Sequence, residues 1–177
     1  VALHTAANGD YNAVSPSFRN NGRTPIALGG DAPFGELGLL NIGASAQLFL
    51  SAMIFDEVFA RHPSLRVLSM EHGASWVPGW LQQMDFTANT FKHFRKFVEK
   101  PSETAKRHLK FSPFSGEPVG WIIDSIGPDM LVFASDYPHP EGTADPIKRF
   151  ERSMPNCDQE VMDKFYYGNM LELMGGA

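Results

Sequence analysis

The sequence predicts an α/β protein built on a parallel sheet of about four strands, and three observations lead there. Strand-sized apolar runs alternate with longer stretches of helical period, the order expected when crossover helices lay strands side by side. The run Met130-Leu131-Val132-Phe133-Ala134 is continuously apolar, as a strand covered on both faces must be. Three of the four predicted strands end in a group that can bind a metal or move a proton, namely His4, His72 and Asp136. In parallel α/β proteins ligands bind at the C-terminal ends of the strands, so residues far apart in the chain converge there.

The first strand is Val1-Ala2-Leu3, running into His4. Over residues 10–42 Gly, Asn, Pro and Ser are scattered without a period, which reads as a long loop excursion over the strand ends. Residues 45–61 have a helical period, with Leu48, Ala52, Phe55 and Phe59 on one face and Ser45 as the N-cap. His62-Pro63 stops that helix, because the residue before a proline is pushed out of the α region. Residues 65–70 form the second strand and lead into Glu71-His72-Gly73.

A long helix is expected over residues 76–98, with Val77, Trp80, Leu81, Met84, Phe91, Phe94 and Val98 on its apolar stripe. Pro78 sits in its first turn, where a missing N–H costs little. Residues 108–114 read as the third strand and 118–126 as a short helix. Gly127-Pro128-Asp129 then turns into the fourth strand. Helices follow over 145–152, 159–165 and 169–174, the last with Asn169 as its cap.

At 177 residues the chain is long enough for one domain, and residues 1–177 are read as a single one. A net charge of −5 offers no basic face for nucleic acid. The longest apolar runs are strand-sized and interrupted, so no membrane span or signal peptide is expected. One cysteine, Cys157, rules out an intrachain disulfide and a cysteine-cluster metal site. These features point to a cytoplasmic protein. The chain opens on strand-like residues without an initiating Met, and its 14 Phe suit a larger core. Both features suggest a piece of a longer polypeptide.

Imidazole and carboxylate donors at the strand ends suit a borderline divalent metal such as zinc, with one position open for water or substrate. Such an ion lowers the pKa of bound water to about 7, or polarises a substrate oxygen. Each residue also has a plainer reading. His4 could bond a backbone carbonyl, His72 could be a turn residue before Gly73, and Asp136 could cap the turn before Pro138. Glu71, on strict strand alternation, faces away from His72 and is assigned to the outer surroundings of the site. Arg19 and Arg23 are candidates for clamping a substrate carboxylate, and His62, His93 and His108 are read as surface residues.

Several stretches resemble one family. They are Ala2-Leu3-His4, residues 55–59 with 62–67, the run Glu71-His72-Gly73-Ala74-Ser75-Trp76-Val77-Pro78, residues 133–142, and the closing Gly168-Asn169. The sequence is similar there to the amidohydrolase superfamily, in the amidohydrolase-2 group that includes aminocarboxymuconate semialdehyde decarboxylase. The resemblance implies the C-terminal half of a (β/α)8 TIM barrel with a divalent metal, commonly zinc. His4 and Asp136 would be metal ligands, His72 and Asp136 an acid-base pair, and Tyr137, His139 and Trp76 substrate contacts.

The implied chemistry is hydrolysis or non-oxidative decarboxylation of a small carboxylated or cyclic substrate. The family's His-x-His pair, which supplies two further ligands, has no counterpart in this chain. The expectation is therefore of a homo-oligomer, or of association with a missing N-terminal half. The other expectation is an inactive half-barrel that serves binding or assembly.

Overall fold

In the computed structural model, residues 1–4, 36–139 and 142–175 are described. Most of the predicted 10–42 excursion, including Arg19 and Arg23, lies outside them. Its end is a short helix, α1 (Glu36–Leu40). Strands β1 (Ala2–His4), β2 (Val67–Met70) and β3 (Leu109–Phe111) form a parallel sheet in the order β1-β2-β3. Leu3 pairs with Ser69, and Ser69 with Phe111, so the three strands end nearly level.

Helices α2 (Ala44–Phe55) and α3 (Val58–Arg61) join β1 to β2, and α4 (Val77–Thr90) and α5 (Pro101–His108) join β2 to β3. Beyond β3 come α6 (Val119–Ile126), α7 (Pro146–Ser153), α8 (Gln159–Asp163) and α9 (Asn169–Leu173). Val67, Leu109, Phe111 and Leu131 are buried with Val77, Trp80, Leu81 and Ile122 in one apolar cluster. Phe111 stands at its centre, edge-on to Trp76 and Trp80 with centroids 5.5 and 6.2 Å apart.

The predicted fourth strand is reduced to one bridge. Pro128–Met130 is a 3-10 turn, and only Leu131 pairs, parallel, with Phe111. The Val132 N–H still reaches the Phe111 carbonyl at 2.9 Å, but the Phe133 N–H donates to the Phe165 carbonyl at 3.0 Å. That carbonyl lies in a π turn, Lys164–Gly168, between α8 and α9. Asn169 is not a helix cap. It is buried, and its Nδ2 donates to the carbonyls of Pro128 and Leu131, both at 2.7 Å. A helix end thus serves the backbone that a further strand would otherwise pair.

The predicted 45–61 helix breaks at Glu57, whose φ of 54° is left-handed, and Ser45 lies inside α2 without capping it. The buried face of α2 is Ala46, Leu50 and Ile54, so Leu48 and Ala52 of the expected stripe face outward, whereas Phe55 packs against the core and Phe59, in α3, is buried in it. The stretch Gly38–Phe55 has a mean hydropathy of 1.5, enough by length and composition to cross a membrane. It is, however, interrupted by a turn over residues 41–43, and its buried face joins the core.

The helix after β2 ends at Thr90, and Phe91, Phe94 and Val98 are exposed (56, 88 and 101 %). The Asp85 carboxylate explains the early end. It accepts the Ser102 N–H at 2.9 Å and the Ser102 hydroxyl at 2.8 Å, so the start of α5 is clamped beside α4 and the chain must turn back. His108 closes α5 and is buried, contrary to its reading as a strand-start surface residue. It stacks on Phe59 at 4.7 Å, and its Nδ1 donates to the Leu65 carbonyl at 2.8 Å.

Candidate functional site

The C-terminal ends of the strands carry the polar groups. His4 ends β1, Glu71 and His72 follow β2, and Asp136 and His139 lie beyond the Leu131 bridge. Asp136 is therefore not a strand terminus but a residue of the loop that follows. Its φ is 52°, and its carbonyl accepts the His139 N–H at 2.9 Å. This turn folds His139 back over Asp136. Gly142 packs so closely on the Asp136 carbonyl that a Cβ there would collide with it.

Glu71 overturns the alternation argument. Its φ is 58°, and one left-handed residue breaks the two-residue period of side-chain direction. Its carboxylate consequently turns into the site instead of away from it. Glu71 Oε1 is 2.8 Å from His4 Nε2. Ligand atoms of Glu71, Asp136 and His139 all lie within 4.8 Å of one another, and all three residues are partly buried.

His72 faces a different neighbourhood. It is 4 % exposed, and its Nδ1 is 3.0 Å from the Ser69 hydroxyl. Burial, with the nearby charge of His4 second, pushes its pKa down to about 4. At neutral pH it is an uncharged imidazole whose Nδ1 is occupied by the Ser69 hydroxyl. His4 and His72 share a hollow of about 440 Å³ whose other walls include Leu3, Ser45, Leu48 and Phe49.

Trp76 supports His72 from below. Its indole N–H donates to the His72 carbonyl at 3.0 Å, and its ring packs on Trp80 and Phe111. Gly43 must be glycine for that packing, since a Cβ would come within 2.5 Å of Trp76 Nε1. Tyr137 is 66 % exposed on the rim.

The structure thus groups the predicted residues differently from the sequence reading. Asp136 and His139 stand with Glu71, His4 touches that trio through Glu71, and His72 lies beside His4. Two contributors escaped sequence reasoning, and a third, Glu71, was named but aimed away from the site. Ser69 sits inside an apolar run, and Glu117, whose carboxylate accepts the Ala74 and Ser75 N–H groups beyond His72, precedes a proline with nothing around it to suggest a long-range partner. Glu71 could have been suspected from the Gly73 that follows, because adjoining left-handed residues often mark a re-aimed strand end.

Several solved structures share the fold. An amidohydrolase from Mycobacterium avium subsp. paratuberculosis is 24 % identical with a TM-score of 0.77, covering 98 % of this chain and 42 % of that one. The 5-carboxyvanillate decarboxylase of Sphingomonas paucimobilis is 20 % identical with a TM-score of 0.69, covering 99 % and 49 %. A dihydroxybenzoic acid decarboxylase from Polaromonas, described with bound manganese and the inhibitor 2-nitroresorcinol, is 16 % identical with a TM-score of 0.57, covering 75 % and 40 %.

The chain spans less than half the length of these relatives, and its parallel sheet is part of such a TIM barrel. Residues 8–175 match the family described as amidohydrolase, so nearly the whole chain carries its pattern and this protein belongs to the amidohydrolase family, in the amidohydrolase-2 group.

Proposed function

We propose that this chain carries one side of a divalent-metal active site that hydrolyses or decarboxylates a small carboxylated aromatic or cyclic substrate. One observation carries the reading: Glu71, Asp136 and His139 converge within 4.8 Å beyond the strand ends, with buried His72 following Glu71 in the chain. Donors bound to one ion at about 2.0–2.2 Å lie up to about 4.4 Å apart, so the trio fits with a small inward movement. Two carboxylates and one imidazole suit manganese as well as the zinc expected from sequence.

His4, now on Glu71, is the proposed fourth donor. A bound divalent cation would supply Lewis acidity toward water or a substrate oxygen. The remaining chemistry belongs to the chain. Ser69 fixes the His72 ring, which takes up or delivers the proton through Nε2. Trp76 holds the His72 backbone, and the hollow shared with Leu48 and Phe49 provides an apolar wall for a ring.

The test is calorimetric titration of the chain with manganese and with zinc. Near-stoichiometric binding is expected, weakened at least about tenfold by Asp136→Asn and by Glu71→Gln. No binding of either ion at millimolar concentration would overturn the reading. Hydroxybenzoates are the first substrates to try, given the decarboxylases among the relatives.

A second reading, an assembly or binding subunit without activity of its own, is favoured by the β1 edge. Among the described residues β1 pairs only with β2, and Val1, Leu48 and Phe49 are exposed nearby (74, 68 and 51 %). Such an edge invites cover, from a second copy or from further barrel strands. Sedimentation that shows dimers of a chain unable to bind metal would favour this reading.

A further inference from the structure

The segment that delivers Glu71 and His72 is conformationally expensive. Glu71 and Gly73, on either side of His72, both have left-handed backbones, with φ of 58° and 65°. A non-glycine residue persists there only when its surroundings hold it. Besides the His4, Ser69 and Trp76 contacts, holding groups come from the loop between β3 and α6. Ser112 Oγ accepts the Glu71 N–H at 3.4 Å, a long contact.

The stronger grip is five residues further along that loop, at Glu117. Glu117 accepts the Ala74 N–H at 3.0 Å on each oxygen, the Ser75 N–H at 2.7 Å, and the N–H of its own loop's Phe114 at 2.7 Å. Its Oε1 also lies 3.0 Å from where a Cβ on Gly73 would be, so the carboxylate seats directly on the left-handed turn. Hydrogen bonds to an ionised acceptor are roughly twice as strong as neutral ones, and here one carboxylate gathers donors from two loops. The negative charge also lies ahead of the first turn of α4, where a helix dipole favours it.

We infer that Glu117 is a positioning residue: it locks the Glu71-His72-Gly73 turn so that Glu71 points into the metal-donor trio while His72 stays buried beside Ser69. The inference rests on the metal-site reading for its functional consequence, but not for its geometry. Glutamine at 117 keeps the size but presents one acceptor and an NH2 group to a ring of N–H donors. The turn should then relax, and Glu71 should leave the left-handed region.

The test has two arms. In the first, NMR of the chain without added metal compares the parent with Glu117→Gln. The HN–Hα coupling and Cβ shift of Glu71 report the sign of its φ. Loss of the left-handed signature in a variant that keeps its overall fold is expected, and its persistence overturns the inference. In the second, manganese affinity should fall about 10- to 100-fold in the variant under conditions where both proteins are folded. Equal affinity would also overturn it.

A parent that binds no manganese defeats the metal-site reading instead, and the first arm still decides on Glu117. Should Glu117→Gln fail to fold, amide exchange in the parent serves. Protection of the Ala74, Ser75 and Phe114 amides supports the clamp, and exchange at unprotected loop rates overturns it.

Discussion

At Glu71 a single backbone angle decides which chemistry the site can do. With a regular strand angle its carboxylate would face the helices; with φ at 58° it meets His4 at 2.8 Å and joins Asp136 and His139. His72, one residue on, keeps a separate role, because its Nδ1 is committed to Ser69 and its position is buried. Replacing His72 with Asn should therefore leave metal affinity within about threefold of the parent. In a full barrel carrying this segment, turnover should fall by about 10²–10⁴, the usual worth of a general acid or base. Metal per chain by elemental analysis, beside carbon dioxide release from the hydroxybenzoates named above, checks both halves. His4 and His72 were legible in the sequence as strand-end groups, whereas Asp136 stands in the loop beyond the Leu131 bridge. Glu71 was visible but aimed wrongly, because alternation assumes a regular strand.

Among the elements, the α4–α5 pair shows a side chain setting a helix boundary. The apolar positions Phe91, Phe94 and Val98 continue the period of α4, yet the helix stops at Thr90. Asp85 holds the Ser102 backbone and hydroxyl, and that long-range clamp outweighs the local preference of about a few tenths of a kcal/mol per residue. Asp85→Ala should destabilise the chain by about 1.5–3 kcal/mol, the range for hydrogen bonds to a charged group. Urea unfolding should show this as a lower midpoint with an unchanged slope. The apolar segments of β2, α4 and α6 were readable from period alone. The face of α2 was not, because a helix apolar on all sides carries no information about which side meets the sheet.

For the whole molecule, burial sets the response to pH. His108 is enclosed against Phe59 and the Leu65 carbonyl, with Arg66 Nη1 3.2 Å away. Burial lowers its pKa below 6.5; the Leu65 hydrogen bond and Glu99 pull it back up, and Arg66 and Arg107 push it further down. The folded chain thus binds fewer protons at this ring than the unfolded one. Stability is fully present above pH 6.5 and is lost as pH falls below it, until the folded ring itself protonates. His108→Gln should flatten the acid side of the stability curve, as measured by urea midpoints between pH 7 and pH 5, while lowering stability at pH 7 through lost packing.

The alternation of apolar runs and helical periods determined the parallel α/β class, because covered strands and amphipathic helices leave patterns that no long-range contact is needed to read. It also placed His4 and His72 at the ends of strands. Only the tertiary structure decided their grouping. The left-handed turn at Glu71, the loop that folds His139 onto Asp136, the Glu117 clamp and the Asn169 bonds to the Leu131 carbonyl region all join segments distant in sequence or depend on backbone angles that side-chain identity does not specify. Such contacts are chosen by what else is packed nearby, and a one-dimensional pattern holds no record of that.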